Sequence, residues 1–258
     1  MRGAIHESAA RGFALVPETY ERGRPMYPFE AVRRLVRELR IHPRSKVLDL
    51  AAGTGKLTRL IAQIGGEVVV VEPVDAMRKR LVETLPDVKA RAGTAEAIPL
   101  ADASVDAVTV GQAFHWFDGD AALAEIHRVL RPGCRLGLIW NVKDESVDWV
   151  RLLAEIIEPY RGSAPKVASG AWKEAFERTE LFTPLERARF SFVHDVDVET
   201  VVARVASISF IAALDPLVRE RVAAQVRELV ATHPETRGRA RFPLRYRTGV
   251  YWCERISL

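Results

Sequence analysis

The 258-residue sequence sets 38 Lys and Arg against 34 Asp and Glu, a net charge of +4, with 48% hydrophobic and 28% charged residues. These shares belong to an ordinary globular protein and exclude a disordered one. No apolar run approaches the roughly 20 residues needed to span a bilayer. Met1 to Gly12 lacks the apolar stretch of a secretory signal, so a cytoplasmic address and no membrane partner are expected. Cys134 and Cys253 lie far apart in the chain and suggest neither a disulfide framework nor a metal knuckle. The densest basic group is Arg237, Arg239, Arg241, Arg245 and Arg247. It reads as a solvated face, with contact to nucleic acid or an anionic substrate as the alternative.

In chain order, Tyr20 to Pro28 is an irregular arm rich in Arg, Pro and Tyr. Ala31, Leu35, Val36 and Leu39 then recur at helical spacing. Lys46 to Ala51 is a short apolar run, a buried strand. Leu57, Leu60, Ile61 and Ile64 form one helical stripe stopped by Gly65-Gly66. Val68 to Val71 is the second strand, and Asp75 is placed to cap the helix carrying Met77, Leu81 and Leu85. Val88 to Arg91 and Val105 to Val110 are the third and fourth strands. The helix Ala121 to Leu130 is expected to stop near Arg131-Pro132-Gly133, before a fifth strand from Arg135 to Asn141.

Near-continuous apolar strands alternating with amphipathic helices argue for a doubly wound α/β fold whose parallel sheet is covered on both faces. Its ligand belongs at the C-terminal ends of the strands. Beyond Asn141 the alternation loosens. Ser146 is expected to cap a helix running to about Glu158, and Asp215-Pro216 to open one with Val218, Val222, Val226 and Leu229 on one face. The strands Arg187 to His194 and Gly249 to Ile256 complete the sheet, with the helices of roughly 197–232 as an inserted cover.

Chemistry concentrates first in Val47-Leu48-Asp49-Leu50-Ala51-Ala52-Gly53-Thr54-Gly55-Lys56. A buried strand enters a tight turn whose Gly53 and Gly55 can take positive φ and admit a ligand to the backbone. The following helix presents its free amides there. A dinucleotide fingerprint would place a third glycine where Thr58 stands, and a P-loop would require Gly-Lys-Ser/Thr where Leu57 follows Lys56. Neither is met. About 20 residues on, Glu72 ends the second strand before Pro73, where a carboxylate can accept hydrogen bonds from both hydroxyls of a ribose.

With these segments in order, the sequence resembles the class I S-adenosylmethionine-dependent methyltransferases, in the small-molecule, type 11-like branch. The resemblance is clear from Tyr20 to about Asn141 and looser beyond. It implies a Rossmann-like, mostly parallel seven-stranded sheet with an antiparallel last strand. It also implies one methyltransferase domain over residues 1–258: arm and helix in 1–45, cofactor-binding core in 46–145, and a C-terminal part in 146–258. S-adenosylmethionine is the implied cofactor and S-adenosylhomocysteine the product. Asp49 would orient the loop, while Ala51 and Gly53 approach the methionine part. Glu72 would hold the ribose, with Pro73 and Met77 beside the adenine. Ala95 and Glu96, in Gly93-Thr94-Ala95-Glu96-Ala97-Ile98-Pro99, would flank the adenine amino edge. Tyr20 and Arg24 would close over the cofactor, with Arg24 paired to its carboxylate.

Gly111-Gln112-Ala113-Phe114-His115-Trp116-Phe117, at the end of the fourth strand, is where the transferable methyl should point. Gln112 and Ala113 offer backbone contacts to the cofactor, while Phe114, Trp116 and Phe117 are candidate walls of a substrate pocket or core residues. His115 is the candidate base if the acceptor is a hydroxyl. Alternatively it hydrogen-bonds the cofactor or a neighbouring loop, and a carboxylate acceptor needs no base. No Asn/Asp-Pro-Pro-Tyr/Phe segment of base-amino methylation is present, and no Cys cluster indicates a metal site. The leading expectation is O-methylation of a small-molecule carboxylate or hydroxyl. The alternatives are an RNA methyltransferase using the Arg237 to Arg247 group, a non-catalytic S-adenosylmethionine binder and, more distantly, a nicotinamide dehydrogenase.

Overall fold

A computed structural model describes residues 12–64 and 66–256. The readings attached to the N-terminal stretch before Gly12 and to Gly65 lie outside the described residues. Seven strands are present: β1 Lys46–Leu50, β2 Glu67–Val71, β3 Lys89–Arg91, β4 Val105–Gly111, β5 Leu130–Lys143, β6 Glu186–Val196 and β7 Phe242–Glu254. They form one sheet in the order β3-β2-β1-β4-β5-β7-β6. β1 to β5 run parallel, and β7 runs antiparallel to both β5 and β6.

The strands read as continuous apolar runs because both faces are covered. In β1, Leu48 and Leu50 point into one cluster with Val108, Val110, Ile126 and Trp140. Val47 points the other way, to Leu35, Ile61, Val70 and Ile139. Helix α1 Pro17–Gly23 lies outside both clusters, and the helices supplying these layers are α2 Phe29–Glu38, α3 Lys56–Ala62, α4 Asp75–Thr84 and α5 Gly119–Val129. They are followed by α6 Asp148–Ile157 and α7 Glu174–Arg178. Between β6 and β7 lie α8 Val198–Ala206, α9 Ser209–Ala212 and α10 Pro216–Thr232, the inserted cover. A third cluster, with Trp149, Leu153, Val201, Val222, Val226 and Tyr246, joins it to α6 and β7. Among the described residues no helix is long and apolar enough to cross a membrane.

Local expectations need correction at four places. Asp75 is the first residue of α4 rather than its cap; Val74 holds the cap position, and the Asp75 carboxylate pairs with Arg78 and Lys79. Ser146 likewise does not cap α6, which starts after Val147; its hydroxyl donates to Asp144 instead. The turn Arg131-Pro132-Gly133 lies inside β5, because Leu130 already pairs with Val105 and a register shift absorbs the extra residues. β7 starts seven residues earlier than expected, at Phe242. There Arg245 and Arg247 are the outward positions of an alternation whose inward ones are Leu244, Tyr246 and Thr248. The basic group is partly neutralised, Arg241 by Asp195 and Arg247 by Asp144.

Candidate active site

Between β1 and α3 the backbone takes positive φ three times, at Ala51 (53°), Gly53 (60°) and Gly55 (84°). Glycine adopts this region without strain; alanine does not, so Ala51 holds the loop in a conformation costly for its Cβ. The loop is pinned from both sides. Ala51 N donates to Val71 O at 2.7 Å. Buried Asp49 accepts from the hydroxyls of Thr58, at 2.6 Å, and Thr109, at 3.0 Å. Thr58, at the position where a dinucleotide loop would have its third glycine, is therefore the residue that ties α3 to β1. Burial, opposed by those hydrogen bonds, raises the Asp49 pKa to about 6.

Glu72, at the end of β2, accepts from Gly53 N through Oε2 and from Val74 N through Oε1, both at 2.8 Å. It is buried, and desolvation raises its pKa to about 7 despite these bonds. Each carboxylate oxygen keeps a further lone pair. Glu72, Pro73, Met77, Ala95, Glu96, Gln112 and Ala113 line one lobe of a cleft, which Phe13, Tyr20, Trp116 and Phe117 close with aromatic surface. Glu96 also accepts from Asp118 N at 3.1 Å.

A second lobe lies over the glycine loop and includes Tyr20, Arg24, Asp49, Ala51, Gly53 and Tyr246. A third opens beside it, with His115, Trp116, Asn141, Lys143, Arg161 and Arg204 on its walls. Tyr20 and Gln112 border all three lobes. Gln112 itself has positive φ, 61°, where β4 ends, and donates through Nε2 to Asn141 O at 3.3 Å.

The arm is clamped between loop and cover. Glu21 accepts from Thr54 Oγ1 at 2.8 Å and Arg59 at 3.0 Å, and lies 3.5 Å from Lys56 Nζ. On the other side Arg24 donates to Ser207 Oγ at 3.0 Å and Ser207 O at 3.2 Å. Gly23 permits this contact: a Cβ there would come 2.5 Å from both Ala203 C and Arg204 N. Burial, followed by the nearby Arg204 charge, lowers the Arg24 pKa to about 10.

Phe114 is a correction. Its ring is 1% exposed and packs on Phe117, Trp172 and Phe176, so it belongs to the core and not to the walls of the three lobes. The 3₁₀ turn Phe114–Trp116 sends Phe114 inward and both His115 and Trp116 to the third lobe, which a run of aromatics does not reveal in advance. His115 does reach the third lobe, but its electrostatics run against a base. Burial, with the charges of Arg24 and Arg161, lowers its pKa to about 3. Trp140 Nε1 donates to His115 Nδ1 at 3.4 Å. An indole nitrogen only donates, so Nδ1 is the acceptor and the ring proton resides on Nε2.

Residues unnoticed in the sequence complete the third lobe. Asn141 and Lys143 occupy the C-terminal end of β5, which the strand-end rule for α/β ligands could have indicated. Asn141 donates to Met26 O at 3.2 Å and accepts from Thr248 at 2.6 Å. Burial and then Arg204 lower the Lys143 pKa to about 7. Arg204 arrives from α8, and nothing local in its sequence announces that placement.

Residues 48–138 match the family model of the methyltransferase domain. The chain is 43% identical over 215 residues to the uncharacterized methyltransferase Rv3342 of Mycobacterium tuberculosis, covering 83% of this chain and 84% of that one. It is 38% identical over 237 residues, 92% of each chain, to the uncharacterized methyltransferase-like C25B8.10 of Schizosaccharomyces pombe. The fold is similar to the crystal structure of YcgJ from Bacillus subtilis, with a TM-score of 0.58 at 17% identity over 90% of this chain and all of that one. The conserved-length matches, the strand order and the loop from Asp49 to Gly55 agree: the chain belongs to the class I S-adenosylmethionine-dependent methyltransferases.

Proposed function

We propose that the protein transfers the methyl group of S-adenosylmethionine to a carboxylate oxygen of a small acid, leaving S-adenosylhomocysteine. The observation that carries this reading is the third lobe, where Arg204, Lys143 and Arg161 stand against one lining acid, Glu145. A cationic lobe attracts an acceptor that is already ionised, and such an acceptor needs no proton removed. His115, held neutral with its proton on Nε2, then serves as a donor to an acceptor oxygen rather than as a base.

The cofactor reading rests on the fit of the other two lobes. The first offers an apolar cleft for an adenine with the Glu72 carboxylate at its floor for ribose hydroxyls. The second sets Arg24 over the glycine loop, where it can neutralise the cofactor's carboxylate. When bound, the sulfonium supplies an activated methyl group; the chain's own contribution is to hold donor and acceptor in line and exclude water. Tyr20 and Trp116 perform the exclusion, since both line the first and third lobes.

Incubation with methyl-labelled S-adenosylmethionine and a panel of carboxylic acids and alcohols tests the reading. The expected product is a methyl ester, which releases labelled methanol in base. Base-stable label on alcohols alone would replace the carboxylate reading with a hydroxyl one.

A further inference from the structure

Arg204 is the more buried of two arginines, the other being Arg255, whose Nε and Nη1 both lack a hydrogen-bond partner among the described residues. Arg204 is 8% exposed, and neither its Nε nor its Nη1 has a hydrogen-bond acceptor among the described residues. No acid pairs with it among the described residues. A buried cation left in this state is strongly destabilising, because it loses its hydration without gaining a partner. Lys143, across the same lobe, also has no ion-pair partner among the described residues, and Arg204 is the charge that most discourages its protonation after burial. Arg161 is differently placed: it pairs with Glu158 at 2.9 Å and its guanidinium lies 5.1 Å over Phe210. Arg24 donates to the uncharged Ser207 and faces the second lobe, where its charge is assigned above to the cofactor's carboxylate. Arg204 therefore brings an unpaired charge to the third lobe, at its border with the second, and Lys143 adds an amine that a bound anion would hold protonated.

The approach is built into the backbone. α8 carries Arg204 against α1 at Gly23, with no space for a side chain between them. The cover is thus docked so that an uncompensated charge faces the cleft, and an acceptor missing from the protein itself would complete the site.

We infer that Arg204 and Lys143 seat a second anionic group of the acceptor, one that is not methylated, so that the substrate class is compact dicarboxylic acids rather than monocarboxylic ones. This rests on the carboxylate reading above, but it concerns binding and can be measured without turnover. One carboxylate would occupy the His115 side of the lobe, and the other would supply the acceptors that the Arg204 guanidinium lacks.

Calorimetry on the full chain saturated with S-adenosylhomocysteine provides the test, using succinate, butyrate and inorganic phosphate as probes. Succinate is expected to bind, and butyrate to bind at least about thirtyfold more weakly, the usual cost of leaving a buried charge unpaired. R204Q should abolish that preference while leaving the affinity for S-adenosylhomocysteine unchanged. Its melting temperature without ligand should be equal to or above that of the wild type, since the uncompensated cation is gone. K143M repeats the comparison should R204Q fold poorly. Equal binding of succinate and butyrate would overturn the inference. So would a loss of S-adenosylhomocysteine affinity in R204Q, which would make Arg204 a cofactor ligand. Binding of phosphate in preference to succinate would replace the dicarboxylate by a phosphorylated acceptor. Succinate binding without any methyl transfer would leave this inference standing and remove the catalytic reading instead.

Discussion

Trp140 donates its indole N–H to Nδ1 of His115 at 3.4 Å, and this contact decides which nitrogen of His115 bears the proton. Trp140 is 1% exposed, anchored in the core beside Trp172 with ring centroids 4.4 Å apart. The tautomer is therefore set by the packing behind the site rather than by whatever enters it. The sequence pattern makes His115 a plausible base; the fold makes it a neutral donor.

Replacing His115 separates these roles. H115Q keeps an N–H donor and should retain activity within about tenfold, whereas H115F should lower kcat/KM by about 10²-fold, as expected for loss of one oriented donor. The pH profile of the wild type should show no ascending limb attributable to His115 near its ordinary value, because its pKa is lowered to about 3. A rate that rises through about pH 6.5 and loses that limb in H115Q would restore the base.

Glu72 predicts a pH dependence of opposite sign for stability and for binding. Its folded pKa, about 7, exceeds the ordinary 4.5, so between these values the folded chain holds a proton that the unfolded chain has released. Its contribution to stability is complete below about 4.5 and is lost as the pH rises through about 7. Asp49, raised to about 6, acts in the same direction. Ribose hydroxyls instead prefer the ionised carboxylate, so affinity for S-adenosylhomocysteine should increase from about pH 6 to about pH 8, by up to about tenfold per unit. E72A should weaken that affinity by about 10²-fold or more at either pH. Calorimetry across the range checks both; a flat profile contradicts the assignment.

Ala51 is strained where glycine would not be. A51G should raise stability by about 0.5–1 kcal/mol, the relief of positive φ offset by the greater entropy of unfolded glycine. Thermal unfolding without ligand measures it. A lower melting temperature would mean that the Ala51 methyl contributes packing that outweighs the backbone cost.

Gly23 should tolerate no side chain. G23A places a methyl 2.5 Å from the backbone of Ala203 and Arg204, which costs about 1–3 kcal/mol by overpacking. Because the displaced helix carries Arg204, the KM for the acceptor should rise more than that for S-adenosylmethionine. Equal changes in both would place the effect in the glycine loop and not in the cover.

Much of the glycine-loop side of the cleft is legible in the sequence because its determinants are local. Asp49 lies in β1, Gly53 and Glu72 follow β1 and β2, the apolar runs of both strands are unmistakable, and the rule for strand ends places the three together. The third lobe is less legible for physical reasons. Phe114 and Trp116 have similar chemistry, and only the 3₁₀ turn sends one to the core and the other to the cleft. Arg245 and Arg247 are the outward positions of a regular alternation, and grouping them with Arg237, Arg239 and Arg241 as a basic face hides the start of β7. Arg204 enters the site by tertiary docking of α8, more than 60 residues after β5, and no spacing near it carries that information.

In the proposed function, the cleft joining Glu72, Tyr20 and Arg204 transfers a methyl group to a carboxylate. Mass spectrometry of a reaction containing methyl-labelled S-adenosylmethionine and a set of dicarboxylic and monocarboxylic acids tests it most directly. The expected product is a monomethyl ester of a dicarboxylic acid, one label per molecule, with S-adenosylhomocysteine formed in equal amount. S-adenosylmethionine bound at micromolar affinity with no acid methylated, or label carried only by nitrogen or carbon, would contradict it.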